Sequence, residues 1–135
     1  MYLNYLRAKQ KELFLDLSII TSNVDNNFNV EEKNLIEQIC QEMDIEIRYE
    51  TDKSLEDIVA ALEEISSTKE KKIILLELLG LVLVDNKEDV SEVQLIKVVK
   101  EKFSLSNDEV EKATLLVKQL YHVYSDFSSF INEQV

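Results

Sequence analysis

Proline is absent from these 135 residues, and glycine, cysteine and histidine occur once each, as Gly80, Cys40 and His122. Without proline and glycine there is almost nothing from which to build hairpins and tight loops, so the sequence points to helices joined by polar turns. A single cysteine excludes an intrachain disulfide and a thiolate-rich metal site within one chain, and fits a reducing compartment. A lone histidine with no cysteine, second histidine or serine motif nearby leaves no catalytic constellation of the familiar kinds. There is no phosphate loop, nucleotide fingerprint or basic aromatic platform. Nor does a continuous apolar stretch follow Met1 as it would in a signal peptide. The most apolar run, from Ile73 to Val84, carries Glu77 and is shorter than the ~20 residues of a membrane crossing. A cytoplasmic protein without membrane insertion is expected.

What is abundant is negative charge. Against 15 basic side chains stand 27 acidic ones, a formal net charge of −12, whose field repels nucleic-acid phosphates and anionic membranes and suits cations or basic partners. The same charge also serves solubility alone. With 45% hydrophobic residues the length suffices for one domain with its own core, and residues 1–135 are expected to form a single unit.

Apolar spacing divides the chain into helices. Leu3, Leu6, Leu13, Leu17, Ile20 and Val24 fall mostly on one side of a first helix, from Leu3 to Val24. A second, from about Val30 to Met43, turns Leu35, Ile36, Ile39, Cys40 and Met43 inward, with Cys40 as a small core hydrophobe rather than a nucleophile. The alternating stretch Glu46 to Asp52 has no strand to pair with and reads as an extended connector pinned by Ile47 and Tyr49. Ser54 with Asp57 and Ser67 with Glu70 are capping-box-like starts for helices over about Leu55 to Ile65 and Thr68 to Val84. The latter is apolar almost all round, as a central helix would be. Gly80 within it implies the close approach of a neighbouring helix. Helices from about Val90 to Phe103 and Asp108 to Phe130 follow, the last begun by Ser106 with Glu109.

A shift of sixty positions superposes two turn regions without a gap. Asp25 falls on Asp85, Asn26 on Asn86, Val30 on Val90, Glu32 on Glu92, Leu35 on Leu95 and Ile36 on Ile96. Upstream, Leu15 matches Leu75 and Val24 matches Val84. Amphipathicity accounts for the apolar matches, but not for the paired Asp-Asn or the glutamate seven residues after each aspartate, so the chain reads as an internal duplication, with units over about 13–45 and 73–105.

The two copies, DNNFNVEE at 25–32 and DNKEDVSE at 85–92, each follow an apolar helix and precede a Leu-Ile pair. In this arrangement the chain resembles the TerB family of tellurite-resistance and stress-associated proteins, from about Leu13 to the C-terminus. Asn26 and Asn86 stand where the family pattern has glycine; both tolerate the positive φ of such a turn. The resemblance implies an all-α bundle of about six or seven helices with a two-fold helix–turn–helix duplication. It also implies a non-enzymatic role in tellurite resistance or stress response, a suspected capacity to bind metal through the acidic turns, and a related form at one end of a membrane-anchored DnaJ-like co-chaperone.

The acidic turns have a second reading from the residues themselves. Asn29 with Glu32, and Asp89 with Glu92, have capping-box spacing, which leaves Asp25 and Asp85 unexplained near the negative ends of helix dipoles. A hard divalent cation, calcium or magnesium rather than zinc, would compensate them. The candidate ligands are Asp25, Asn29, Glu32, Asp85, Asp89 and Glu92, with Asn27 a further oxygen donor and Lys87 opposing binding in the second copy. Neither turn is an EF-hand loop, since the positions of its glycine and terminal glutamate hold Val30 or Val90 and Ile36 or Ile96.

The stripe Leu116, Leu120, Tyr124, Phe127 and Ile131 is expected to be chiefly core, and His122 a surface or boundary residue. Phe127 and Phe130 near the end of the last helix, with Tyr2 and Tyr5 as a cover, form the alternative site, a surface for an unidentified protein partner or for a weak homodimer. Three readings follow: a TerB-like binding module that takes a divalent metal, an interaction scaffold whose acidic turns only cap helices, and, most distantly, a hydrolase or lyase, which would need a pocket with a buried carboxylate.

Overall fold

Short polar side chains decide where the helices start. In the computed structural model, which describes residues 1–22, 29–84 and 90–133, a 3-10 turn at Leu3–Tyr5 precedes six helices. They are α1 (Ala8–Ser22), α2 (Val30–Met43), α3 (Leu55–Ile65), α4 (Thr68–Val82), α5 (Val90–Lys102) and α6 (Asn107–Ile131). Asn29, Ser54, Ser67 and Ser106 cap α2, α3, α4 and α6, each side-chain oxygen accepting from the backbone N–H three residues on. At α4 and α6 the box is reciprocal, with Glu70 and Glu109 accepting from the backbone of Ser67 and Ser106. Each such cap stabilises its helix by about 1 kcal/mol.

The expected single helix over Leu3–Val24 is instead a turn and a helix. Leu6 is extended (ψ 152°), and α1 restarts where the Gln10 side chain accepts from the Arg7 N–H at 2.8 Å. Arg7 has no side-chain oxygen, so this start lacks the serine or asparagine signal seen elsewhere. Gln10 is fully buried, and its amide donates to Ser66 Oγ at 3.0 Å, tying α1 to the α3–α4 junction.

Two helices form the centre. In α4, Ile74, Leu75, Leu78, Leu79 and Val82 are buried, as its all-round apolar pattern predicts. In α1 every residue from Leu13 to Ile19 is buried, so it too is surrounded rather than one-sided. α1 and α4 pack on each other; α1 also packs on α2 and α3, and α4 on α5 and α6. One contiguous core runs from Leu3 through Met43, Ile58 and Leu78 to Val117. Cys40 lies within it, fully buried, and burial pushes its thiol above the usual range.

α2 and α5 end alike. Asp44 and Ser104 adopt left-handed backbone (φ 56° for both), and the next N–H, of Ile45 and Leu105, reaches back to the carbonyls of Cys40 and Lys100. These six-to-one bonds are the Schellman arrangement, here without glycine. The connector at 45–54 has no strand partner among the described residues. Ile45 and Tyr49 pack on the core, whereas Ile47 is 47% exposed. Ile47 therefore does not pin it; Arg48 turns inward instead.

Candidate functional site

The structure presents three candidate places. The first comprises the acidic turns. Of the six residues expected there, Asp25, Asp85 and Asp89 lie outside the described residues, as do Asn27 and Lys87. Asn29 and Glu32 are brought together by the cap itself, Asn29 Oδ1 accepting from Glu32 N at 2.9 Å. Glu92, on the first turn of α5, borders a hollow of about 160 Å³ with Leu79, Val82, Leu83, Val93 and Ile96. Among the described residues, no group of three or more His, Cys, Asp or Glu side chains is placed to hold a metal ion.

The second place was not expected. Asp16 sits in the apolar run of α1 and is 1% exposed. Its Oδ1 accepts from Arg48 Nη1 at 2.6 Å, and its Oδ2 lies 3.3 Å from Lys53 Nζ. Arg48 also donates to Glu12 Oε2, the Glu12 carbonyl and the Glu50 carbonyl, each at 3.2 Å. Burial opposes the guanidinium charge, but the bonds to Asp16 and Glu12 outweigh it and hold the pKa above its ordinary value. These residues, with Thr51 and Asp52, line a cleft of about 500 Å³. The cleft does hold a buried carboxylate, yet both carboxylate oxygens face cations and the guanidinium is shared among four acceptor oxygens. Its geometry fastens the connector to α1. The sequence signal was the charged residue itself, flanked by Leu15 and Leu17 in a stretch with no other charge from Leu13 to Ile20.

The third place is α6. Its first half is seated: Ala113 and Val117 are buried, and the Tyr121 hydroxyl donates to the Gly80 carbonyl at 2.5 Å. That carbonyl belongs to the last turn of α4, where intrahelical partners run out. A Cβ at Gly80 would stand 3.4 Å from the same hydroxyl, an ordinary van der Waals contact with the tip of a side chain, so the expected close approach of a neighbouring helix does not itself demand glycine here. Beyond Tyr121 the helix continues past the end of α4, and every residue from His122 to Glu133 is exposed. The expectation that the stripe is chiefly core is therefore corrected. Leu116, Tyr124, Phe127 and Ile131 are 49%, 50%, 57% and 76% exposed, because the apolar spacing outlasts the helices available to cover it.

Tyr124 bridges Tyr121 and Phe127 in a row of rings with 6.4 Å between successive centroids. Tyr2 and Tyr5 do not cover this row; they pair with each other at 6.0 Å, beside Lys69, Lys72, Ile73 and Leu76. At the root of the overhang a groove of about 280 Å³ is lined by Leu35, Ile39, Leu81, Val84, Leu120 and Tyr124. His122 is on the surface, 3.7 Å from Asp126.

Compared with family models, curated proteins and solved structures, the chain has no match. Among the described residues, no helix is long and apolar enough to cross a membrane.

Proposed function

We propose that this chain is a non-enzymatic, cytoplasmic protein-interaction module whose docking surface is the C-terminal half of α6. The observation that carries the reading is the exposure of Val123, Tyr124, Phe127, Phe130 and Ile131 on one ten-residue projection, at 44% to 76% each. Single exposed apolar residues need no explanation, but a contiguous apolar face of this kind marks an interaction surface. The test is a photo-crosslinking amino acid at Phe130, introduced in the cells that make the protein. Specific adducts that disappear with Phe127→Ser support the reading, and the absence of any adduct refutes it.

A second proposal concerns the acidic turns and the TerB-like duplication, and it is supported by the helix boundaries. α4 begins and ends sixty residues after α1, α5 begins sixty after α2, and the left-handed residues Asp44 and Ser104 are also sixty apart. Non-glycine residues with positive φ are uncommon, so their recurrence at the repeat distance favours duplication over coincident amphipathicity. On this reading Asp25, Asn29, Glu32, Asp85, Asp89 and Glu92 take calcium or magnesium, in a stress-response or tellurite-resistance setting. Thermal unfolding in chelator, then with each cation, tests it. Free ion at about a hundred times its dissociation constant adds roughly 2.7 kcal/mol, and this gain disappears in Asp25→Asn/Asp85→Asn. No shift with any ion leaves Asn29 and Glu32 as capping residues alone.

A further inference from the structure

The apolar residues of α6 have a regular order that extends from its buried half into its exposed half. Val110, Ala113, Val117, Leu120, Tyr124, Phe127 and Ile131 are separated alternately by three and four residues, the spacing of a coiled-coil seam. The first three are buried or half-buried against the bundle, with Ala113 and Val117 7% and 2% exposed. The last three, in the same register, are 50%, 57% and 76% exposed. The seam is thus half occupied. A second row, Leu116, Val123 and Phe130, runs beside it and is also exposed, which widens the face beyond a minimal stripe.

We propose that a second copy of this chain covers that face, the two projecting halves of α6 pairing antiparallel. The proposal rests on the reading of α6 as the docking surface. Three observations select a copy of the same chain over a basic partner. First, a basic helix would need acidic side chains beside the seam, and the flanking positions hold Thr114, Tyr121 and Ser128 on one side and Leu116, Val123 and Phe130 on the other. Second, the charged residues between Ala113 and Ile131 are Lys118 and Asp126, both off the seam, so this is a surface where two molecules of charge −12 meet without opposing carboxylates. Third, aromatic side chains carry on the order of 150–250 Å² each, and a face so exposed offers roughly 600 Å² per copy, approaching the ~800 Å² per partner of a standard interface.

In an antiparallel seam the two alternating positions of the three-four spacing face each other, a residue followed by a step of three meeting one followed by a step of four on the other helix. Centred between Ser125 and Asp126, the pairing puts Tyr124 against Phe127 of the other copy and Ile131 against its Leu120. Leu120 lines the groove at the root of α6, whose wall combines apolar residues with Glu42 and Glu77, so the tip of each projection arrives at the opening of the other copy's groove.

The full chain is examined by sedimentation velocity and light scattering across a dilution series. A reversible dimer is expected, and Phe130→Ser or Phe127→Ser weakens it by an order of magnitude or more while helical content and melting temperature stay near wild type, both rings being exposed. The direction of pairing is read by mixing Tyr124→Cys with Phe127→Cys under mild oxidation, where Cys40 stays silent because it is buried. The mixed disulfide should dominate; a preference for either homodisulfide overturns the antiparallel arrangement. A wild-type chain that remains monomeric throughout overturns pairing with a second copy. Failure of the underlying reading looks different: adducts at Phe130 with another protein alone overturn only the self-pairing, whereas no adducts at all overturn the docking surface as well.

Discussion

At the scale of single residues, the most consequential side chain is Asp16, a charge placed in the centre of the fold. A carboxylate taken out of water costs several kcal/mol unless it is paired and hydrogen-bonded. Here the pairing comes from Arg48, 32 residues away in sequence, and from Lys53, which is half exposed. The short contact with Arg48, which is more sheltered than Lys53, should therefore dominate. Arg48→Ala is expected to destabilise the protein by about 3 kcal/mol, because it strands the buried charge, and Lys53→Ala by well under 1 kcal/mol, as an exposed pair does. Adding Asp16→Asn to Arg48→Ala should recover much of the loss, since it removes the stranded charge. Urea unfolding of the wild type, Arg48→Ala, Asp16→Asn and the double variant measures the coupling; additive losses across the cycle would show that Arg48 acts by packing its alkyl chain and not by pairing.

At the scale of elements, local chemistry fixes the starts of helices and tertiary context fixes their burial. Glu70 closes the capping box of α4 by accepting from Ser67 N at 2.8 Å, and Arg7 lies 3.3 Å away. The Ser67 backbone N–H, then Arg7, hold its pKa at about 2 against an ordinary value of 4.5. Glu109 is lowered in the same direction by the Ser106 backbone. A carboxylate with a lowered folded-state pKa binds its proton more readily when unfolded, so its contribution is fully present above about pH 4.5 and is lost as the pH falls toward 2. Glu70→Gln should accordingly flatten the acid limb of stability between those values while leaving its slope at pH 6 to 8 unchanged. An unaltered acid limb in chemical denaturation would assign the box to Ser67 alone. These starts were legible because serine followed three residues later by an acidic residue is a local signal. The break before α1 was not, because its cap comes from Gln10, which also has to reach Ser66 in another part of the chain. The roles of Ile47 and Arg48 were exchanged for a similar reason. Alternation suggested an apolar pin, but the buried Asp16 on α1 required a cation, and that requirement is not visible within residues 46–52. The metal candidates were legible as a repeated spacing; the exposed face of α6 was legible only at Phe127 and Phe130, since a seam of constant period does not reveal where its neighbour ends.

At the scale of the whole molecule, strong negative charge and a nearly neutral projecting helix make opposite demands on association. Two copies approaching at random meet like charge, whereas copies meeting through the ends of α6 do so across Tyr124, Phe127 and Ile131, with the acidic bodies held apart on either side. Residual repulsion between those bodies should limit the dimer at low ionic strength and yield to screening, the Debye length falling from ~10 Å at 0.1 M salt to ~3 Å at 1 M. The dimerisation constant should therefore rise steeply over the first few tenths molar of sodium chloride and then level off, because the contact itself is apolar and little charge remains to be screened. General salting-out of apolar surface predicts a different curve, one that keeps rising and is much steeper in sulfate than in chloride at equal ionic strength. Sedimentation equilibrium in the two salts separates these behaviours. A dimer that weakens as salt is added would mean that ion pairs hold the copies together, and would move the interface off the neutral end of α6 onto a charged part of the bundle.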